Sequence, residues 1–159
     1  MIKILFVCTG NICRSPMAEG ILRRKAMELN LNIEVDSCGF ESFHVGDTPD
    51  PRAIRVAAQM GTDISKHRAR LFTAADFVNF DQIYVMDQSH YSQALRLAGN
   101  DDDRRKVEYL LNVVYPGQNR EVKDPWYHDF SAFEAVYREL ELACKAIVNN
   151  LESKQHGAC

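Results

Sequence analysis

A chain of 159 residues, 46% hydrophobic and 26% charged, has the length and mixture of one compact globular unit and is short for two. A formal net charge of -3 without a basic stripe argues against a nucleic-acid partner. No apolar run nears the ~20 residues of a membrane span, and five cysteines at 8, 13, 38, 144 and 159 lack the spacing of a zinc site or a disulfide framework.

Residues 2–8, Ile-Lys-Ile-Leu-Phe-Val-Cys, form a short apolar run with β-branched members, which suits a fully buried strand. This start has neither a basic leader nor a small-residue cleavage site, so it reads as a strand rather than a signal peptide, and a cytoplasmic protein is expected. Ser15-Pro16 opens a helix, with Pro16 where a missing N–H costs nothing, and apolar residues recur at helical spacing to about Leu29. A second strand is expected over 33–35, closed by Ser37-Cys38-Gly39.

A loop with Gly46, Pro49 and Pro51 leads to a helix over 53–60 that Gly61 ends. Thr73 and Asp76 form a capping box for a short helix. A third strand is expected over 82–86, a helix over 89–97 and a weaker fourth strand over 107–111. Asp101-Asp102-Asp103 reads as an exposed charged loop rather than a metal site. Ser131 and Glu134 make another capping box, opening a helix whose Phe133, Val136, Tyr137, Leu140, Cys144, Ile147 and Leu151 keep the 3.6 period. Strands alternating with helices predict an α/β fold, a parallel sheet covered on both faces.

The turn between the first strand and first helix, Cys8-Thr9-Gly10-Asn11-Ile12-Cys13-Arg14-Ser15, falls at a strand's carboxyl end, where open parallel sheets collect ligands. Cys8 and Arg14, six residues apart, can face inward on a loop curled round one anion. Its backbone N–H groups and the helix N-terminus would then supply positive potential. Gly10 and Asn11 tolerate the φ > 0 that a tight cradle needs. Such a site favours a thiolate at Cys8. Arg14 offers a planar fork to two phosphate oxygens, and Ser15 can donate to the sulfur.

These motifs resemble the low-molecular-weight protein tyrosine phosphatases: VCTGNICRSPMAE, DSCG, HVGDTPDPRA, GTDISKHRAR, YVMDQSH and DPWY occur in the family's order, covering residues 3 to about 150. The resemblance implies four parallel strands flanked by helices, a phosphate-binding loop after strand 1, and a single phosphatase domain over 1–159 with no metal or organic cofactor. It implies Cys8 as nucleophile, Arg14 as phosphate clamp and Asp124 as general acid, with phosphotyrosine proteins as substrates and inorganic phosphate or related oxyanions as loop ligands. Neither nucleic acid nor membrane is expected as a partner.

Cleaving a phosphate ester leaves an oxyanion that needs a proton, and Asp124 in Lys-Asp-Pro-Trp-Tyr suits that task on its own terms. Thr9, Gly10, Asn11, Ile12, Cys13 and Ser15 would line the cradle. Trp126, Tyr127 and Phe43 are either an aromatic slot for the substrate ring or ordinary packing aromatics. Family members often carry Trp where Phe43 stands and Tyr where Trp126 stands. Asn11, Ser37 and His67 match positions that hydrogen-bond beneath the loop, and Asp87 matches one that supports the site. His44, His90, His128 and His156 show no informative spacing.

Cys13 is either loop packing or, as family members with paired loop cysteines imply, a partner that protects oxidised Cys8 as a disulfide. A protein-arginine phosphatase is the alternative function, although those relatives tend to have Thr where Ile12 stands. An arsenate reductase is less suited, because it needs further cysteines on the segment holding Tyr84, Met86 and Asp87. A phosphate-binding module without catalysis would not need Cys8 and Asp124 together. A Rossmann nucleotide domain would need Gly-x-Gly-x-x-Gly, which is missing.

Overall fold

The computed structural model describes residues 1–155, so His156 and Cys159 lie outside the described residues. In chain order the elements are β1 (Ile2–Cys8), α1 (Arg14–Glu28), β2 (Ile33–Gly39), α2 (Pro51–Gln59), α3 (Ala75–Asn79), β3 (Gln82–Val85), α4 (Gln88–Leu97), α5 (Asp101–Lys106), β4 (Val107–Tyr109) and α6 (Phe130–Gln155). A 3-10 turn, Leu110–Val113, follows β4. The four strands form one parallel sheet in the order β2-β1-β3-β4.

Alternation along β1 divides the core. Ile4, Phe6 and Cys8 face α1, α2 and α6, whose Met17, Ile21, Val56, Phe133, Tyr137 and Leu140 join them in one apolar cluster. Leu5 and Val7 face the other way, toward Phe77 of α3 and Ala94 of α4. Successive side chains of a strand point to opposite faces, so an uninterrupted apolar run is what two covered faces require. Helices on both faces therefore agree with the reading of the sequence.

Several boundaries differ from expectation. β2 runs on through Gly39 because each residue from Ile33 pairs with one of β1, so Ser37-Cys38-Gly39 extends the strand instead of closing it. β4 ends at Tyr109, where the backbone tightens into the 3-10 turn. The Asp101-Asp102-Asp103 loop is the first turn of α5. Asn100 caps it by accepting from the Asp103 N–H, acids sit at its N-terminus and Arg104, Arg105 and Lys106 at its C-terminus, matching the helix dipole. α6 starts at Phe130, one residue before Ser131; the Ser131 hydroxyl donates to Asp129 (2.6 Å).

Chain order makes β1 the switch point. The path goes from β1 to β2 on one side, then crosses to β3 on the other, which opens a crevice at the carboxyl end of β1. The loop of residues 8–14 sits there. Among the described residues no helix is long and apolar enough to cross a membrane.

Candidate active site

The loop after β1 is built round Asn11, which is fully buried with φ of 58°. Asparagine tolerates this left-handed conformation better than most residues. Its amide nitrogen donates to Ser15 Oγ (2.8 Å) and Ser37 Oγ (2.9 Å). Its oxygen accepts from His67 Nε2 (3.0 Å) and the Arg70 N–H (3.1 Å). The amide can make four bonds and makes all of them, which locks the loop to β2 and to the 67–70 segment. Gly10 does not adopt positive φ, contrary to expectation; a Cβ there would meet the His44 ring at 3.0 Å. Gly39 of β2 is the close-approach position, since a Cβ would stand 2.6 Å from the Thr9 carbonyl oxygen.

These bonds orient the sulfur. Ser15 accepts from Asn11 and keeps its own proton to give, with Cys8 Sγ 2.8 Å away and the Cys38 carbonyl at 3.4 Å. Further back, Ser37 donates to Glu19 (2.6 Å), which also pairs with Arg23 (2.8 Å) and faces His67 at 3.5 Å. Burial pushes His67 below the usual histidine range, although the Glu19 charge opposes this.

Arg14 is 2% exposed and opens α1. Its Nη1 donates to Asp87 Oδ2 (3.1 Å) and to the Val122 carbonyl (2.8 Å), fixing the guanidinium plane beside the loop. Its Nη2 lies 3.7 Å from Asp124 Oδ2. Asp124 is nearly half exposed, and its other oxygen accepts the Trp126 N–H (3.0 Å). Cys8, Arg14 and Asp124 line one pocket of about 320 Å³. Thr9, Gly10, Ile12 and Cys13 of the same loop line it too, with Phe43, His44, Trp126 and Tyr127.

The aromatic residues divide. Trp126 leans on the main core and the His44 ring (centroids 5.5 Å), whereas Phe43 and Tyr127 are 83% and 86% exposed at the mouth. Cys13 is buried, and burial, with the neighbouring Cys8 adding to it, holds its thiol far above the ordinary range. Cys38 and Cys144 are buried as well.

Sequence reasoning passed over three groups. His90 is fully enclosed, with Nε2 2.8 Å from the Thr9 hydroxyl and Nδ1 3.4 Å from Asp87 Oδ1. Asp87 Oδ1 accepts from the His90 main-chain N–H (3.1 Å), and among the described residues the buried Nδ1 has no hydrogen-bond partner. Burial pushes this imidazole down to about 4. His44 was unremarkable by spacing yet walls the pocket. Asp50 and Arg52, inside the HVGDTPDPRA motif, brace it from α2. Asp-Pro before a helical run signals an N-cap with Pro at the first position, a clue that would have moved the start of α2 back to Pro51.

Residues 3–156 match the family described as Low molecular weight phosphotyrosine protein phosphatase. A Schizosaccharomyces pombe protein of that name is 39% identical over 142 residues, covering 87% of this chain and 90% of its own. A Sus scrofa protein of the same name is 38% identical, covering 94% and 95%. A crystal structure of a protein tyrosine phosphatase from Entamoeba histolytica, with Hepes in the active site, superposes with a TM-score of 0.89 at 32% identity, covering 98% and 99%. The chain belongs to the low molecular weight phosphotyrosine protein phosphatase family and is an enzyme of that class.

Proposed function

We propose that this phosphatase removes phosphate from tyrosine in proteins through a cysteinyl-phosphate, with Cys8 as nucleophile, Arg14 as clamp and Asp124 as general acid. The observation that carries this reading is the convergence of the three groups on one pocket, with Ser15 Oγ 2.8 Å from the sulfur. The Cys8 thiolate attacks phosphorus in line, and the phosphorus–oxygen bond to the tyrosine ring breaks. Asp124 gives its proton to the departing phenoxide, which leaves as tyrosine. Arg14 grips two equatorial oxygens throughout, where charge is spread in the transition state.

In the second step the Asp124 carboxylate takes a proton from water, whose oxygen attacks phosphorus. The sulfur departs as thiolate, eased by the Ser15 hydroxyl, and inorganic phosphate is released. The Entamoeba relative has Hepes in its active site, and Hepes carries a sulfonate, an oxyanion of the kind this cradle suits. Phe43, His44, Trp126 and Tyr127 offer flat surfaces to a phenyl ring, and a phosphoserine side chain would leave them unfilled. Ile12 adds an apolar side chain to the lining, from which a planar, charged phosphoguanidine gains no hydrogen bond.

The test compares one peptide sequence carrying phosphotyrosine, phosphoserine or phosphoarginine. Preference for phosphotyrosine in kcat/KM, with a phosphoenzyme trapped by rapid acid quench, is the expected result. Preference for phosphoarginine would reassign the substrate, and no trapped intermediate under single turnover would remove the covalent step.

A further inference from the structure

The segment just after Asp124 is tied down by a residue of another element. Arg52, in the first turn of α2, uses Nη1 to donate to the His128 carbonyl (2.9 Å) and Nη2 to donate to the Trp126 carbonyl (3.1 Å). The same guanidinium binds Asp50 in bidentate fashion, Nε to Oδ1 at 3.0 Å and Nη2 to Oδ2 at 2.9 Å. Asp50 is buried, and its N–H donates to the Ile12 carbonyl of the nucleophile loop (2.8 Å). One arginine–carboxylate unit therefore joins the loop carrying Cys8 to the loop carrying Asp124.

The acid loop is tied at two ends. Upstream, Val122 donates to the Met86 carbonyl (2.8 Å) and accepts from Arg14. Downstream, Arg52 holds the carbonyls of Trp126 and His128. Between the ties, the Asp124 side chain has one hydrogen bond to its own loop. The face of Arg52 lies 4.4 Å from the centroid of Phe133, a residue of the core, which fixes the plane of its fork. Burial works against ionised Asp50, but the bonds and charge of Arg52 outweigh it and keep the carboxyl below its usual range.

We infer that Arg52 is a positioning residue for leaving-group protonation: it fixes the reach of Asp124 over the cradle without touching the substrate. The inference rests on the reading of Asp124 as the acid. Arginine suits the position because two peptide carbonyls and a carboxylate need at least four N–H donors in one plane, and a lysine ammonium has three donors and no plane. Misplacing a proton donor by about 1 Å is enough to lose two orders of magnitude in rate.

The experiment uses the full-length chain with Arg52→Gln and Arg52→Lys, each crossed with Asp124→Asn. The readout is kcat/KM for phenyl phosphate and for an aryl phosphate with a strongly electron-withdrawing ring, with competitive inhibition by inorganic phosphate alongside. Arg52→Gln is expected to lower kcat/KM about 10- to 100-fold on phenyl phosphate and far less on the activated ester. Arg52→Lys, which keeps charge and stem should the first variant fold poorly, is expected to fall between Arg52→Gln and wild type. Inhibition by phosphate is expected to hold within about threefold, and the Arg52→Gln/Asp124→Asn double variant to match Asp124→Asn alone. Equal losses on both esters, weakened phosphate inhibition, or additive losses in the double variant would overturn the inference. If Asp124→Asn alone shows no dependence on the leaving group, the assignment of the acid fails instead, and that arm reports it separately.

Discussion

The loop of Cys8, the proposed nucleophile, and the loop of Asp124, the proposed acid (the nucleophile loop and the acid loop), face each other across one pocket and are built in opposite ways. In the nucleophile loop Asn11 and Arg14 are buried, the Asn11 amide is fully bonded, and α1 and β2 close in from both sides. In the acid loop Asp124 and Trp126 are partly exposed and Tyr127 is largely so, and the segment hangs from Val122 and from Arg52. The difference suits the two proposed tasks. An anion cradle gains from donors fixed before the ligand arrives. A proton donor above a bulky ester has to leave the mouth open for the substrate.

The largest expected effect tests the rigid half. Cys8→Ser abolishes turnover yet still binds phosphate or vanadate, because the cradle persists without its nucleophile; phosphate release near the wild-type rate would end the covalent mechanism. On the open half, Asp124→Asn lowers turnover of poor leaving groups by ~10²–10⁴, with the loss shrinking for an activated aryl phosphate. An equal loss on both would place the acid elsewhere. The two variants together show whether the halves are separable: phosphate affinity survives in each, and only the step that fails differs.

A substitution beneath the cradle sharpens the contrast further. Asn11→Ala leaves buried partners unpaired and keeps a β-carbon at φ of 58° without the side-chain hydrogen bonds that let asparagine tolerate the angle, for a combined destabilisation of about 2–4 kcal/mol by urea unfolding. Asn11→Gly removes the bonds but tolerates the angle, so its smaller loss isolates the hydrogen bonds. Equal losses in the two would mean that the backbone angle contributes nothing.

His90 supplies a pH-dependent version of the same test. Its pKa in the folded state, about 4, lies below the ~6.5 of a free imidazole, so the unfolded chain takes up the proton first as pH falls. Stability tied to neutral His90 is complete above pH ~6.5 and is lost progressively down to about 4. Between pH 7 and pH 5 wild type is expected to lose roughly 2 kcal/mol more than His90→Gln. Parallel stability curves for the two proteins would show that His90 titrates normally. The smallest expected effect is on turnover of Cys13→Ser, which stays near wild type. Only recovery from peroxide changes, with thiol treatment restoring wild type and leaving the variant inactive. Identical recovery would leave Cys13 as packing.

Much of this was legible in the chain order of residues. An apolar run followed by Cys8-x₅-Arg14 and a proline-started helix fixes a strand, a cradle and a helix from local rules alone, because period, turn chemistry and capping act over a few residues. The same rules put Asp124 ahead of a proline and two aromatics. They could not extend β2 to Gly39, since that pairing depends on β1 lying alongside, and they read α5 as a loop because three adjacent acids look unfavourable until Asn100 and the following basic residues are counted as a capped turn.

What only the tertiary structure decided is which distant groups meet. Nothing in the spacing of His90 announces that it touches Thr9, 81 positions earlier, or in that of Arg52 that it reaches carbonyls 74 and 76 positions later. A buried imidazole looks in sequence like any other histidine, and a main-chain carbonyl has no residue type to betray it. Those contacts exist because the crossing at β1 brings the ends of β1 and β3 and the start of α2 to one end of the sheet, where buried donors must find acceptors.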